Sequence, residues 1–454
     1  MGTIADKLIY LGRTKTEIRN AMAAKGVAIS EETPFRDYAG KILEIKTESG
    51  ENPLQWKRPA DWLRIEDKVV AGNQKFVGLH AIFEDSNFVS LSATGNYTVD
   101  WGDGVTENYA SGVQAYHIYS YSSFAGTDST RGYRQAIVTV TPQTGQNLTN
   151  VNLQRKHKQA SLNVYSTGWL DIRVSGSSMG SMSIGGSVVT NAYLEAFNYV
   201  GGSSIASYNR FFYGCSQLQS VAFSDTAKGS DFGSMFESCT FLKTVPLFDT
   251  SNGTNFSGMF YGCPSLQSVP TFDTAKGLDF SIMFSFCTSL QNVPALNTIN
   301  GTVFISMFES CASLRTIPLL NTSKGTDFSY MFQGCPSLQT VPLFDTSKGT
   351  DFSNMFYGCT GLQTIPMFKT SGGTAFGSMF TNCASLNKAA LSGAKNTISY
   401  AGCKLSKAAL VEVFSNLASG VTSKTITISN NWGAPLLTAS DKTIATGKGW
   451  TIVG

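Results

Sequence analysis

The strongest pattern in the chain is a comb of apolar residues with a fixed pitch. Cysteine falls at Cys215, Cys239, Cys263, Cys287, Cys311, Cys335, Cys359 and Cys383, always 24 residues apart. Phenylalanine stands three residues before each of them, from Phe212 to Phe380, and leucine three residues after, from Leu218 to Leu386. Methionine precedes the phenylalanine from Met235 to Met379, with Phe211 in its place in the first unit. The leucine register continues backward to Leu194 and Leu170, where the other marks fade, giving about ten rungs. A fixed period of this length with aligned apolar positions predicts a solenoid, because one unit cannot bury its own apolar side and must stack on its neighbours. Stacked strands would set the rungs near the ~4.8 Å spacing of paired backbones.

Within each unit the pattern splits in two. Leu242-x-x-Val245-x-Leu247 and Leu338-x-x-Val341-x-Leu343 predict a strand. In DFSNMFYGC, the inward candidates Phe352, Met355, Phe356 and Cys359 have offsets that suit a short helical turn. Asp345 to Gly349 reads as the turn between the two pieces. Proline at 246, 270, 294, 318, 342 and 366 conflicts with a full strand, since it cannot donate to a ladder. Either the strand is very short, or each missing N–H points away from the next rung.

Outside the comb the pattern changes. Residues 1–46 predict a helical module: EIRNAMAAKG starts after Thr16 and stops at Gly26, and Thr33-Pro34 caps a second helix. Residues 47–59 read as a linker. Residues 60–145 show two-residue alternation in Tyr97–Trp101 and Ile137–Val140, the mark of half-buried strands in a small β-sandwich. The solenoid is expected over 146–390 and a cap over 391–454, with helices at Lys407 to about Leu417 and Leu437 to Thr446 and a strand and turn at 426–433. The fold class is therefore mainly β with short helices.

Three resemblances attach to these segments. The unit MF-x-x-C-x-x-L-x-x-V/I-P-x-F-D-T-S-x-G-T-D-F-S-x-MF, over about 205–390, resembles the BspA-like leucine-rich repeat, a family of surface-exposed bacterial proteins and adhesins. The segment after 390 is similar to that family's C-terminal cap. Val99-Asp100-Trp101-Gly102-Asp103-Gly104 with His117-x-Tyr119 and AIVTVTP resembles a polycystic-kidney-disease (PKD) type sandwich, which implies a spacer or binding module. The stretch KLIYLGRTKTEIRNAMAAKGVAISEETPFRDYAGKI resembles an N-terminal module of phage virion appendage proteins, which implies docking onto another virion component.

Composition narrows the function. Charged residues make up 14% and the formal net charge is +3, so no dense basic surface points to nucleic acid. Three histidines, His80, His117 and His157, are few for metal or acid–base chemistry. The N-terminus lacks the apolar core of a signal peptide, and no run reaches the ~18 apolar residues of a membrane span. The expected site of synthesis is a reducing cytoplasm, here that of a host cell, with the virion as destination and no membrane insertion.

Candidate chemistry is weighed against the period. Zinc needs clustered ligands such as Cys-x-x-Cys pairs, which the cysteine spacing lacks. Equivalent thiols on successive rungs point the same way, which disfavours a disulfide. The eight cysteines are expected to be a core ladder of small hydrophobes. Asp225, Asp249, Asp273 and Asp345 form one carboxylate column, and Asp231, Asp279, Asp327 and Asp351 another. A glycosidase needs one privileged pair, so repeated carboxylates read as turn supports, with calcium as a lesser alternative. Asp100, Asp103 and His117 could form an acid–base cluster but fit the turn-and-packing role that the PKD resemblance implies. No cofactor, metal or catalytic residue is assigned.

The remaining candidates are surface columns. Gln267, Gln291, Arg315, Gln339 and Gln363, with Gln219 and Lys243, run beside the core leucine. Tyr261 and Tyr357, with Glu237, Glu309 and Gln333, stand just before the cysteine or its glycine. Lys228, Lys276, Lys324 and Lys348 form a third column, at the turn. Together these readings predict a non-catalytic phage tail or head fibre or appendage, homo-oligomeric in the particle. It would dock through its N-terminal module to other virion proteins and offer the solenoid to a host surface glycan or protein, or as particle decoration. A bacterial surface adhesin is the alternative, and a polysaccharide depolymerase the less favoured one.

Overall fold

The computed structural model describes residues 15–16, 19–20, 22–23, 30, 56–84, 87–124, 126–158, 164–186 and 190–454. The chain divides into two compact units, Met1–Pro59 and Ala60–Gly454. In the first, residues 15–16, 19–20 and 22–23 are helical and Met22 is buried. The expected helix at Pro34, and residues 47–55 of the expected linker, lie outside the described residues.

The second unit begins with a two-sheet sandwich. Its strands are β1 (Lys75–Ile82), β2 (Phe88–Thr94), β3 (Tyr97–Asp100), β4 (Thr106–Tyr109), β5 (Gln114–Ile118), β6 (Arg134–Pro142) and β7 (Asn150–Asn152). The next four are β8 (Trp169–Ser175), β9 (Ser181–Ser183), β10 (Ala196–Tyr199) and β11 (Ser220–Phe223). One sheet runs β11-β10-β8-β1-β6-β3-β4 and the other β5-β2-β7-β9. The boundary expected at 145/146 is therefore absent from the fold. β8 pairs antiparallel with β1, and β9 pairs parallel with β7, so the first coil of the solenoid adds a strand to each sheet. β10 and β11 then stack parallel on β8. The sandwich is the solenoid's N-terminal cap.

The WGDG turn is held as a unit. Trp101 is fully buried and its N–H closes on the Val105 carbonyl at 3.0 Å. His117 stacks on the indole at 5.1 Å and meets Asp103 Oδ2 at 2.7 Å. Tyr119 Oη donates to the Trp101 carbonyl at 2.8 Å. Asp100 and Asp103 each accept a turn N–H at 3.0 Å, from Gly102 and Val105. All three members of the suspected acid–base cluster thus serve local packing.

From there the solenoid makes about 11 turns. Its core is three aromatic or mixed columns, with Met and Cys columns between them. Phe232, Phe256 and their equivalents to Phe376 stack with centroids 5.4–5.9 Å apart, extended by Tyr208. Phe212 to Phe380 stack likewise, and Tyr400 continues that column at 4.9 Å from Phe380. Tyr400 and Cys403 repeat the Phe380–Cys383 pair after 20 residues instead of 24, and both are buried. A shortened coil therefore occupies the start of the region expected to be cap.

Two expectations about the unit are corrected. The Leu-x-x-Val-x-Leu frame forms a strand only at its ends. β11, with Ala222 at the proline position, pairs fully with β10. In the proline-bearing rungs the ladder shrinks to single bridges such as Asn292↔Thr316 and Thr340↔Thr364, two residues before the proline. Alternation breaks at that point. Val245 is buried, but Leu247 and Leu343 are 66% and 60% exposed, and the inward residue is the next one, Phe248 or Phe344. The very short strand was one of the two solutions to the proline conflict.

The segment DFSNMFYGC is likewise a series of tight turns and contains no helix. The N–H groups of Met355, Tyr357 and Cys359 bond three residues back, while those of Phe352, Asn354, Phe356 and Gly358 reach the next rung. That alternation needs a left-handed residue at Asn354 (φ 56) and Gly358 (φ 72), which a helix cannot contain in series. One glycine column has a separate cause. A Cβ on Gly349 would lie 2.3 Å from Phe352 Cζ, and Gly325 meets Phe328 in the same way.

The C-terminal cap follows its sequence signals. Ser406 caps the helix Lys407–Asn416 by accepting from Ala409, and a Thr438–Asp441 capping box opens the helix Ala439–Thr446. β12 (Phe368–Lys369) pairs with β13 (Leu391–Ser392), and β14 (Ile398–Ser399), β15 (Lys424–Thr427) and β16 (Trp450–Val453) close the end as a parallel sheet.

Candidate binding face

The core accounts for most of the residues that first suggested chemistry. All eight ladder cysteines are fully buried free thiols, and Cys403 is a ninth. Each thiol from Cys239 onward donates to a phenylalanine carbonyl of the preceding rung, as in Cys359 Sγ to Phe332 O at 2.9 Å. Burial pushes Cys215, Cys263, Cys311, Cys359 and Cys403 up to about 12. Cys239, Cys287, Cys335 and Cys383 are also raised by burial, above the ordinary thiol range. Protonated, buried and bonded to backbone, these groups are packing.

The carboxylate columns close turns. Asp249 Oδ1 accepts from Ser251 N at 2.8 Å, and Asp351 Oδ1 from Ser353 N at 2.8 Å. The bonds from Ser251 and Ser347 hold Asp249 and Asp345 below the usual carboxylate range. Among the described residues no group of three or more His, Cys, Asp or Glu side chains is arranged to hold a metal ion. Beside the aspartates runs a buried threonine column that the sequence reading passed over. Thr226, Thr250, Thr274, Thr298, Thr322 and Thr346 each donate to a carbonyl of the following rung at 2.7–2.9 Å. Its one trace in the sequence is the Thr that recurs inside Asp-Thr-Ser-x-Gly, within the expected turn.

The surface candidates lie in separate lines. Gln267, Gln291, Arg315, Gln339 and Gln363 are all exposed. Their backbones are bonded rung to rung, as in Gln363 N to Gln339 O at 2.9 Å. Tyr261 is half-buried and Tyr357 is 37% exposed. The buried Cys359 and Leu362 lie between Tyr357 and Gln363, so the glutamine and tyrosine lines belong to different stretches of the rung. In the lysine column, Lys276 and Lys324 bond back to Asn252 and Asn300 at 2.6 and 2.7 Å.

Three surface features were missed. An exposed apolar line runs through Leu247, Leu319, Leu343 and Met367. A groove of about 570 Å³ opens over the first of these, lined by Phe223, Leu247, Thr271 and the aspartates 225, 249 and 273. Two aromatics, Phe286 and Tyr330, stand on the tyrosine side at 44% and 39% exposure. They escaped notice because they occupy columns filled by glycine, serine or asparagine in most rungs.

Comparison with known proteins agrees with the repeat. A family model described as Mycoplasma protein of unknown function, DUF285, matches residues 206–318 and 278–395. The match falls on the solenoid and supports a BspA-like leucine-rich-repeat protein. No curated protein matches the chain. Among solved structures, the TLR13–ssRNA13 complex aligns at 11% identity over 62% of this chain and 50% of that chain, with TM-score 0.25. The mouse RP105/MD-1 complex aligns at 15% identity over 67% and 50%, with TM-score 0.24. The chain spans about half the length of these structures, and so distant a likeness assigns nothing to it.

Proposed function

We propose that the protein is a non-catalytic virion structural protein, a tail or head appendage whose solenoid attaches the particle to a host surface or decorates it. The observation that carries this reading is the division of labour within the rung. The cysteine ladder, the aspartate columns and the threonine column are committed to core or turn, while the outward columns vary from rung to rung. Such a surface suits recognition along an extended face. The phage element rests on the resemblance of the N-terminal module, which would join other virion proteins and present several copies together. The sandwich, PKD-like in its WGDG and His-x-Tyr contacts, would serve as spacer as well as cap. A second reading, a bacterial surface adhesin, is supported by the family match to the repeat.

The test is location. Purified particles probed with antibody against the solenoid should carry the protein at a fixed tail or head position, and the isolated protein should bind intact host cells. Absence from particles, with presence on a bacterial surface, would favour the adhesin. Absence from both, with release of reducing sugar from host polysaccharide, would return the depolymerase to consideration.

A further inference from the structure

The turns of the solenoid carry two columns of left-handed backbone. One runs through Ser234, Gly258, Ser306, Asn354 and Ser378, the other through Gly214, Ser238, Gly262, Ser310, Gly334 and Gly358, each with φ between 52 and 72. Small residues and asparagine tolerate this region, and bulky ones are strained there. Tyr330 (φ 60) interrupts the first column and Phe286 (φ 60) the second. Arg210 and Ile282 also interrupt the first, but each has a local return: Arg210 lies over the Tyr213 ring, and Ile282 lies against Gly258. Phe286 makes an edge contact to Tyr261 at 5.9 Å and remains 44% exposed. Tyr330 is 39% exposed. Neither gains a core position for its strain, and strained backbone clusters at active sites and ligand clamps.

The neighbouring groups define the ligand. Between the Tyr261–Phe286 pair and Tyr357 lie Glu309 and Gln333, with Gln333 Nε2 donating to Glu309 Oε1 at 3.0 Å. The second carboxylate oxygen and the amide oxygen remain as acceptors. Lysine and arginine are missing from the two left-handed columns and the tyrosine column between Tyr261 and Tyr357, so the face does not complement an anionic polymer. Nor is it one contiguous apolar pocket of the kind that anchors protein partners. Phe286 and Tyr330 are two rungs apart, about 11 Å along the stack. Separated rings with acceptors between them suit a chain that alternates apolar C–H faces with hydroxyls.

From this we infer that the face bearing Tyr261, Phe286, Tyr330 and Tyr357 binds a neutral, hydroxyl-rich glycan lying along the solenoid axis. The inference deepens the attachment reading and rests on it. The test uses the full chain on immobilised neutral glycans (β-glucan, mannan, N-acetylglucosamine oligomers) and anionic ones (hyaluronate, polysialic acid). Phe286→Ser and Tyr330→Ser install a residue that other rungs use at the same φ, so both variants should fold with an unchanged or higher Tm. The expected result is retention on at least one neutral glycan, weakened at least about tenfold by either substitution and abolished by both. Failure to retain any neutral glycan, retention on anionic glycans alone, or unchanged retention in the double variant would overturn the glycan face. Host-cell binding separates the two levels. If the double variant still adheres to cells, and adhesion is lost on protease treatment but survives periodate, the attachment reading stands and the glycan assignment falls. If the wild-type protein binds no cells and is missing from particles, attachment itself fails.

Discussion

The thiol ladder makes the protein unusually sensitive to alkali. In the folded chain Cys215, Cys263, Cys311, Cys359 and Cys403 hold their protons to about 12, against an ordinary thiol value of 9.0. The other four are raised as well. A group whose folded value is raised keeps its proton in the native state while the unfolded chain releases it. Its contribution is therefore whole below pH 9 and is lost as pH climbs toward 12. At pH 9 half of each unfolded thiol is ionised, which costs the set on the order of a few kcal/mol. At pH 10 the loss is roughly a kcal/mol per thiol, and the nine together reach the order of 10 kcal/mol, comparable to the whole net stability of a typical domain. The buried tyrosines, such as Tyr199 and Tyr208, start from an ordinary value of 10.0 and add to the loss only above that pH. Urea unfolding under reducing conditions, followed by far-UV circular dichroism at pH 7, 8, 9 and 9.5, should show a flat midpoint to pH 8 and a steep fall after it. Cys359→Ala should remove about one ninth of the pH-dependent loss. A midpoint that is constant or rising between pH 8 and 9.5 would refute the buried, protonated ladder.

Three further outcomes follow from single contacts. Cys359→Ala at pH 7 should cost about 1–2 kcal/mol from lost packing and one thiol bond, read by urea melts, and should leave host-cell binding intact. A selective loss of ligand or metal binding in the folded variant would contradict the ladder role. Thr274→Val, which deletes the bond to the Asn297 carbonyl and leaves that acceptor short, should cost about 1–2 kcal/mol, with Thr274→Ser retaining most of the stability. Gly325→Ala would place a methyl 2.7 Å from Phe328 Cζ and should cost about 1–3 kcal/mol by overpacking; an unchanged melting temperature would mean that the ring column yields more easily than its stacking implies.

Legibility in the sequence followed repetition. Core columns such as Phe356, Cys359 and Leu362 could be assigned because every rung restates them, and a residue that recurs at one phase through eight rungs has one environment. Phase within the rung was harder. Leu247 and Phe248 are both large and apolar, and pattern alone puts either inside; Pro246 breaks the two-residue alternation and turns Leu247 outward. The left-handed turns were hidden for a related reason. Offsets of three and four fit a helix equally well, and only the Gly, Ser and Asn recurring at 354 and 358 separate the two, a signal of backbone sign that hydrophobic spacing does not carry. Cys403 was missed because its coil is four residues shorter, which leaves the 24-residue register although the Tyr–Cys pair is intact.

The same reasoning locates where function can vary. A solenoid needs both apolar ends covered, and here the sandwich covers one by sharing its two sheets with the first coil, while the β14–β16 sheet and its helices cover the other. Inside, each rung's phenylalanines stack on their copies above and below and its thiol bonds to the preceding rung, so a change in one rung disturbs its neighbours and the columns stay uniform. The outward columns have no such constraint, yet those on left-handed backbone have a different one: conformation favours Gly, Ser or Asn. A large residue there is expensive without a compensating contact, and the expense is what distinguishes Phe286 and Tyr330 from Gln363 or Lys348, whose side chains sit on backbone that accepts almost any residue. Exposure alone names many candidates on this surface. Exposure combined with backbone strain at an aromatic residue selects two, and both fall on the side that carries Tyr261 and Tyr357.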